Sequence, residues 1–140
     1  MRKKSVAVIV VLFGISLFLS AAYAQDNAAK DLSSQIGREA GLTEKEQESI
    51  NNPVKKMLKE GADKDQIKNA VSGLAKDGVK GEDLKSSAES MSDLVKNGNS
   101  AKDAGNIVSK AAHEAKAEGL KGKDLANRVH EAVKKMQAEK

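Results

Sequence analysis

The apolar residues of this chain recur at the spacing of an α-helix along most of its length. Between residues 67 and 74, one helical face carries four of them: Ile67, Ala70, Val71 and Leu74. Comparable stripes run through residues 84–95, 104–115 and 125–136, and a weaker one through residues 32–40. Residues three and four apart share one face of a helix, and no segment alternates as a strand would. The pattern therefore predicts an all-α fold.

Five glycines separate these stripes: Gly41, Gly61, Gly78, Gly98 and Gly119. A glycine just beyond a helix supplies the left-handed conformation that closes it. An acid or amide stands five positions after each glycine. If the residue two positions after the glycine is the N-cap of the next helix, this acid or amide is the third helical residue and can hydrogen-bond back to the cap. Thr43 with Glu46 has the spacing of such a capping box. We interpret the five glycines as structural turns between helices.

A similar turn sequence occurs twice, as "DGVKGEDL" at residues 77–84 and as "EGLKGKDL" at residues 118–125. Lysine is a poor N-cap, so in these two octets Gly81 or Gly122 can take that role in place of Lys80 or Lys121. The octet opens every second helix. The repeating unit is therefore a pair of helices, and we place three pairs at about 26–60, 61–97 and 98–139.

Paired helices of this period are typical of helical arrays, and three pairs are about the minimum for such a stack. We expect about six short amphipathic helices in three helix-turn-helix pairs, forming a short α-solenoid-like stack, with a compact helical bundle as the alternative. Asn52-Pro53 resembles a fresh N-cap and first helical residue. The segments 44–51 and 53–60 are accordingly predicted to be two short helices or one kinked helix.

The first 24 residues have the pattern of a secretory signal peptide. Three basic residues precede an apolar run over residues 6–19. The small residues that signal peptidase requires then follow, which places the cleavage site after Ala24. The apolar run is shorter than the roughly 20 residues of a membrane-spanning helix. We expect residues 1–24 to be removed and residues 25–140 to form one all-α domain, periplasmic or secreted, with no membrane span after cleavage.

Removing this leader changes the composition of the chain. The leader holds three of the 24 basic residues and none of the 20 acidic ones, so 21 basic residues remain and the net charge falls to about +1. It also holds the only aromatic residues: Phe13, Phe18 and Tyr23. A nearly neutral chain without aromatic stacking platforms is not expected to bind nucleic acid. With no Cys there is no disulfide scaffold, so a small aliphatic core must hold a fold of modest stability.

The sequence offers little chemistry for catalysis. It has no Cys and no Ser or Thr in a recognisable nucleophile motif. Asp83, Asp103 and Asp124 stand near predicted helix N-termini, where the helix dipole stabilises carboxylates. We therefore predict that the protein is not an enzyme and that it uses no cofactor.

Two histidines leave a metal site as an alternative. His113 and His130 each precede a glutamate, Glu114 and Glu131, and a hairpin turning at Gly119 could bring the four together. Two imidazoles and two carboxylates would suit Zn²⁺. The spacing is loose, so we interpret the four as surface residues and predict no metal.

A binding or structural role remains. Tight interfaces rely on Trp, Tyr and Arg, which are scarce here, so a protein partner is expected to bind weakly or through avidity. Gly37, Gly73 and Gly105 lie inside predicted helices, where a glycine permits close approach of a neighbouring helix or of a ligand segment. We therefore expect a non-catalytic exported helical-repeat protein that binds components of the cell envelope.

The alternative function is a stress chaperone that holds unfolded clients on an apolar surface. The stretch "LTEKEQ" at residues 42–47 resembles the Leu-Thr-x-x-Gln signature of small periplasmic stress chaperones, which are exported, helical and Cys-free. Here the Gln stands one position later and the signature occurs once. The same residues also form the predicted capping box, which accounts for them without a chaperone.

Overall fold

The computed structural model describes residues 23–139, and every regular element in that part of the chain is an α-helix. The first helix, α1, covers residues 23–40. Five more follow: α2 (Glu44–Lys59), α3 (Lys64–Lys76), α4 (Gly81–Lys96), α5 (Ala101–Ala117) and α6 (Lys123–Ala138). The predicted all-α fold of about six helices is confirmed. Residues 1–22, which hold most of the predicted leader, lie outside the described residues.

A glycine with positive φ follows each of the first five helices: Gly41 (66°), Gly61 (82°), Gly78 (87°), Gly98 (95°) and Gly119 (81°). At the end of α3, the Gly78 N–H donates to the Ala75 carbonyl (3.1 Å) and the Val79 N–H to the Leu74 carbonyl (3.0 Å). This pair of hydrogen bonds is a Schellman motif, which needs a left-handed residue at the first of the two donors, here Gly78. The same pair closes α2, α4 and α5.

Helix α2 continues through Pro53, so of the two predicted alternatives the two short helices are wrong and a single helix is present. A proline inside a helix removes one backbone hydrogen bond. Pro53 is buried together with Val54 and Met57, on the face that α2 turns to the core. Burying that face as one continuous surface stabilises the helix enough to offset the missing bond.

The helices form two layers, and helices two positions apart in the chain pack on each other within each layer. One layer contains α2, α4 and α6, and α3 packs on α5 in the other. Contacts of α4 and α6 with α5 join the layers, whereas α3 makes few contacts with its neighbours α2 and α4. Helix α1 is tied to both layers by ion pairs, from Glu39 to Lys76 (2.9 Å) and from Asp26 to Lys55. This compact packing is consistent with either a stack of helices or a helical bundle.

Hydrogen bonds at the helix N-termini keep this stack in register. An oxygen in the first turn of one helix accepts a backbone N–H from the start of the helix two positions on. The pairs are Glu46 with Gly81 (2.9 Å), Gln66 with Lys102 (3.3 Å) and Asp83 with Gly122 (3.3 Å). Each bond satisfies a backbone donor that a helix leaves without an internal partner.

These bonds give a structural role to the repeated octet. Helices α2, α3 and α5 have local caps, from Thr43, Asp63 and Ser100. Helices α4 and α6, which the octet opens, have no side-chain cap of their own. Their first N–H groups are capped by carboxylates of α2 and α4 instead. The octet is thus a turn whose helix is capped by a neighbour in the stack.

The core between the layers consists of small aliphatic side chains. Its largest fully buried members include Ile36, Ile50, Leu84 and Met91. Helix α5 contributes mostly alanine, and its Gly105 lies against Ala70 of α3. A Cβ atom on Gly105 would stand 2.5 Å from the Ala70 Cβ, so this glycine sets the separation of α3 and α5.

Candidate functional site

The four residues of the alternative metal site do not form a metal centre. His113 points towards the end of α3, where its Nε2 lies 3.1 Å from Asp77 Oδ2. Glu114 and Glu131 line a separate cleft between α5 and α6, together with Arg128 and Lys135. Across residues 23–139, no group of three or more His, Asp and Glu side chains has an arrangement that could hold a metal ion. His130 is exposed on α6.

A groove of about 290 Å³ runs between α3 and α5, and two of the three interior glycines, Gly73 and Gly105, line it. Its α3 wall extends from Gln66 to Asp77, and its α5 wall from Lys102 to Ser109. The two helices approach closely at Ala70 and Gly105, so the groove has a floor of small side chains and backbone. Polar side chains stand along its rims.

Gly73 opens this floor to solvent. A Cβ atom built on Gly73 would meet no atom within 4 Å, in contrast to Gly105. Gly37 differs again, because the Gln47 side chain occupies the place where its Cβ would stand. Of the three interior glycines, two therefore serve helix packing, while Gly73 faces open space inside the groove. Glycine in a helix interior costs about 1 kcal/mol relative to alanine, and at Gly73 no packing contact compensates for that cost.

Carboxamides are the characteristic groups of the groove. Asn69 and Asn106 lie on opposite walls, and both are exposed. Neither side chain makes a hydrogen bond to another described residue, so each amide can offer an acceptor and two donors to a ligand. Gln66 is already partly used, since its Oε1 accepts the Lys102 N–H.

The two ends of the groove differ in charge. Lys102 stands at the end where α5 begins. At the other end lies Asp77, whose carboxylate contacts His113 and whose backbone carbonyl accepts a hydrogen bond from Lys116 Nζ (2.9 Å). The nearby Lys76 hydrogen-bonds Glu39 and holds the pKa of that carboxyl below its ordinary value. A ligand would therefore meet a basic group at one end and a mixed cluster at the other.

Two further clefts lie outside the α3–α5 groove. A polar cleft between α1 and α2 is lined by Lys30, Ser33, Glu48 and Asn51. The Ser33 hydroxyl and the Asn51 carbonyl oxygen beneath it are buried without a hydrogen-bond partner, but solvent does not reach either atom. The other cleft lies near the end of α6 beside Met136.

The exposed apolar surface is small. Among the described residues, the exposed large apolar side chains are Tyr23 and Met136, and Tyr23 belongs to the predicted leader. Within residues 23–139, no helix combines the length and the apolar character needed to cross a membrane.

Comparison with protein families, with characterised proteins and with solved structures finds no match to this chain. The groove between α3 and α5 is therefore the feature of this chain that bears on its function. Sequence reasoning singled out Gly73 but missed Asn69 and Asn106. Each of these asparagines directly adjoins one of the two small residues, Ala70 and Gly105, that bring α3 and α5 together. That adjacency becomes visible only when the pairing of α3 with α5 is known.

Proposed function

We propose that this protein is a non-catalytic binding protein, exported to the periplasm or secreted, that holds a partner along the α3–α5 groove. The single observation that carries the proposal is Gly73, an interior helix glycine with open space above it and unpartnered amides on both rims. Glycine destabilises a helix interior, and no packing contact explains its presence at this position. The glycine therefore favours a functional role for the open groove.

The proposal of a role without catalysis rests on the sequence, which has no Cys and no Ser or Thr in a recognisable nucleophile motif. Glu39 and Glu46 are the described groups with clearly lowered pKa values, and structural hydrogen bonds account for both: from Lys76 to Glu39, and from the backbone of Thr43 and Gly81 to Glu46. Export rests on the leader pattern at residues 1–24. We favour this function over a chaperone because little apolar surface is exposed.

A photo-cross-linking experiment in intact cells tests the proposal. A photoreactive amino acid replaces Asn106 in the groove or, as the matched control, exposed Asn127 on α6. We expect irradiation to produce a discrete adduct from position 106 and none of the same mass from position 127. Identical adducts from both positions, or no adduct from position 106, would contradict the groove as the binding site.

A further inference from the structure

We infer that Asn97, at the C-terminal end of α4, is a site of spontaneous deamidation, and that the turn after α4 suppresses the reaction while the protein is folded. The product is an aspartate or an isoaspartate at position 97. This covalent modification site lies outside the α3–α5 groove and requires water but no enzyme.

The sequence distinguishes this asparagine from the others. Asn97 is followed by Gly98, and no other asparagine of the chain precedes a glycine. Asparagine is among the thermolabile residues, because the backbone nitrogen of the next residue can attack its side chain. Glycine has no Cβ atom to shield that nitrogen and gives the backbone the freedom to rotate.

The reaction exchanges one amide bond for another and then hydrolyses the product. The Gly98 backbone nitrogen forms a bond to Asn97 Cγ, and the bond from Cγ to Nδ2 breaks. Ammonia leaves with the proton that the Gly98 N–H gives up, and a succinimide ring remains. Water then opens the ring. Cleavage between the ring nitrogen and Cγ gives aspartate, whereas cleavage at the Asn97 backbone carbonyl gives isoaspartate, in which the main chain runs through Cβ and Cγ.

The position of Asn97 at a helix end favours the reaction. Asn97 is the C-cap residue of α4, and both Asn97 and Gly98 are exposed. Helix ends fray more readily than helix interiors. Asn69, Asn106 and Asn127 instead lie within α3, α5 and α6, where backbone N–H groups are hydrogen-bonded along the helix.

The folded turn holds the reacting groups apart. The Gly98 N–H donates to the Val95 carbonyl (3.0 Å), and the Asn97 side-chain NH₂ group donates to the Asp93 carbonyl (2.9 Å). Asn97 has a ψ of 14°, which turns the Gly98 nitrogen away from the Asn97 Cβ atom. Closing the ring therefore requires both hydrogen bonds to break and the Cα–C bond of Asn97 to rotate. The reaction proceeds through a local opening of this turn.

The other turns show which product fits the fold. The residue before the turn glycine is acidic after three helices, α2, α3 and α5: Glu60, Asp77 and Glu118. An aspartate at position 97 reproduces the Asp-Gly pair of residues 77–78. Isoaspartate fits poorly, because it adds a carbon atom to the main chain before Gly98. That insertion displaces the two N–H donors of the Schellman motif that closes α4.

Peptide mapping of the mature chain at mildly alkaline pH, in buffer and in guanidinium chloride, tests the inference. The tryptic fragment 97–102 contains both Asn97 and Asn99, so Asn99, which precedes a serine, is the control within the same fragment. We expect Asn97 to convert to carboxyl forms in both solutions, at least about tenfold faster in the unfolded chain. Asn99 should remain an amide over the same period. Asn97→Gln should stay unmodified at that position, since its longer side chain does not form a succinimide.

The melting temperature separates the two products. Asn97→Asp supplies the aspartate form alone, and we expect it to melt close to the wild type because Asp77 occupies the same position in its own turn. Ion-exchange chromatography isolates the aged protein by its added negative charge. The fraction with isoaspartate at position 97 should melt below both the wild type and Asn97→Asp.

The outcomes bear on separate parts of the inference. An Asn97 that stays intact in the unfolded chain, or that reacts no faster than Asn99, would overturn the modification site. Equal rates at Asn97 in folded and unfolded protein would overturn the protection by the turn. An isoaspartate form that melts with the wild type would contradict the effect on the Schellman motif of α4.

Discussion

At the scale of single residues, three buried serines depart from the apolar pattern of the helices. Ser33, Ser72 and Ser87 are almost fully buried, and none of their hydroxyl groups has a hydrogen-bond partner in the described structure. A buried hydroxyl without a partner loses its hydration and gains nothing in return. The small core of this chain is therefore weakened at three positions.

Replacing such a serine by alanine should stabilise the protein. For Ser87→Ala we expect the free energy of unfolding to rise by about 1 kcal/mol, from the removed desolvation cost and the better helix propensity of alanine. Ser86→Ala, at a half-buried neighbour in α4, is the matched control and should show only the smaller propensity gain. Urea unfolding followed by circular dichroism measures both. Equal gains would mean that the buried hydroxyl carries no penalty.

The interior glycines make the second test at this scale. Gly73→Ala should raise the free energy of unfolding by about 1 kcal/mol, because the added methyl group meets open space and alanine favours the helix. Gly105→Ala should lower it by about 1–3 kcal/mol, because its methyl group would collide with Ala70. Chemical denaturation of the two variants compares them directly. Changes of the same sign would contradict the different surroundings described for these glycines.

Sequence reasoning placed Gly37, Gly73 and Gly105 in one class, since each lies inside the first helix of a predicted pair. In the structure their surroundings differ. Gly37 faces the Gln47 side chain, Gly73 faces the open groove and Gly105 faces Ala70. Periodicity identifies the face on which a residue lies. It does not identify the residue that packs against that face, because that partner is tens of positions away in the chain.

At the scale of helices, the turn signals were predictable and their tertiary partners were not. The capping box of Thr43 with Glu46 is present, with Glu46 N–H donating to Thr43 Oγ1 (3.3 Å) and Thr43 N–H to Glu46 Oε2 (2.9 Å). These local signals lie within a few residues of one another. The bond from Gly81 to Glu46 crosses 35 residues, and only the packing of α2 on α4 brings its ends together. The choice between one helix and two at Pro53 was left open for a related reason, since burial of α2 outweighs the local signal of the proline.

The bonds to Glu46 predict a dependence of stability on pH. The backbone N–H groups of Thr43 and Gly81 stabilise the carboxylate and hold its pKa below the ordinary value of 4.5. A lowered folded pKa means that this stabilisation is complete above the unfolded pKa and is lost as the pH falls through the folded value. We expect the melting temperature of the wild type to exceed that of Glu46→Gln at pH 7, with the difference shrinking below about pH 4.

The control for this pH series is Glu48→Gln, since Glu48 is exposed on the same helix and makes no hydrogen bond or ion pair to another described residue. It should track the wild type across the series. A difference between wild type and Glu46→Gln that is constant down to pH 3 would show that the charge on Glu46 does not contribute.

At the scale of the whole molecule, the apolar residues at helical spacing predicted an all-α fold of about six helices. Which helices belong to each layer could be assigned only from the contacts between the helices. Likewise, the groove depends on α3 and α5 lying side by side, although α4 separates them in the chain. Its amides were therefore missed. A single sequence reveals helices and their ends, whereas a binding groove belongs to pairs of helices.

Export and composition together give a prediction for the mature protein. Cleavage after Ala24 would remove all three aromatic residues, so the product should have the mass of residues 25–140 and essentially no absorbance at 280 nm. Its far-ultraviolet circular dichroism should be strongly helical with a cooperative melt. Mass spectrometry of the periplasmic and secreted fractions checks the mass. An uncleaved chain held in the membrane with its tyrosine absorbance would contradict export as a free protein.

The central claim is that each of the later helices is held in register by the helix two positions before it, since this register builds the stack and its groove. Amide hydrogen exchange at Gly81 and Gly122 tests the claim most directly, in the wild type, in Glu46→Ala and in Asp83→Ala. We predict that Asp83→Ala accelerates exchange at Gly122 and leaves Gly81 unchanged, and that Glu46→Ala does the reverse. Unchanged exchange at both amides in both variants would contradict the register of the α2, α4 and α6 layer.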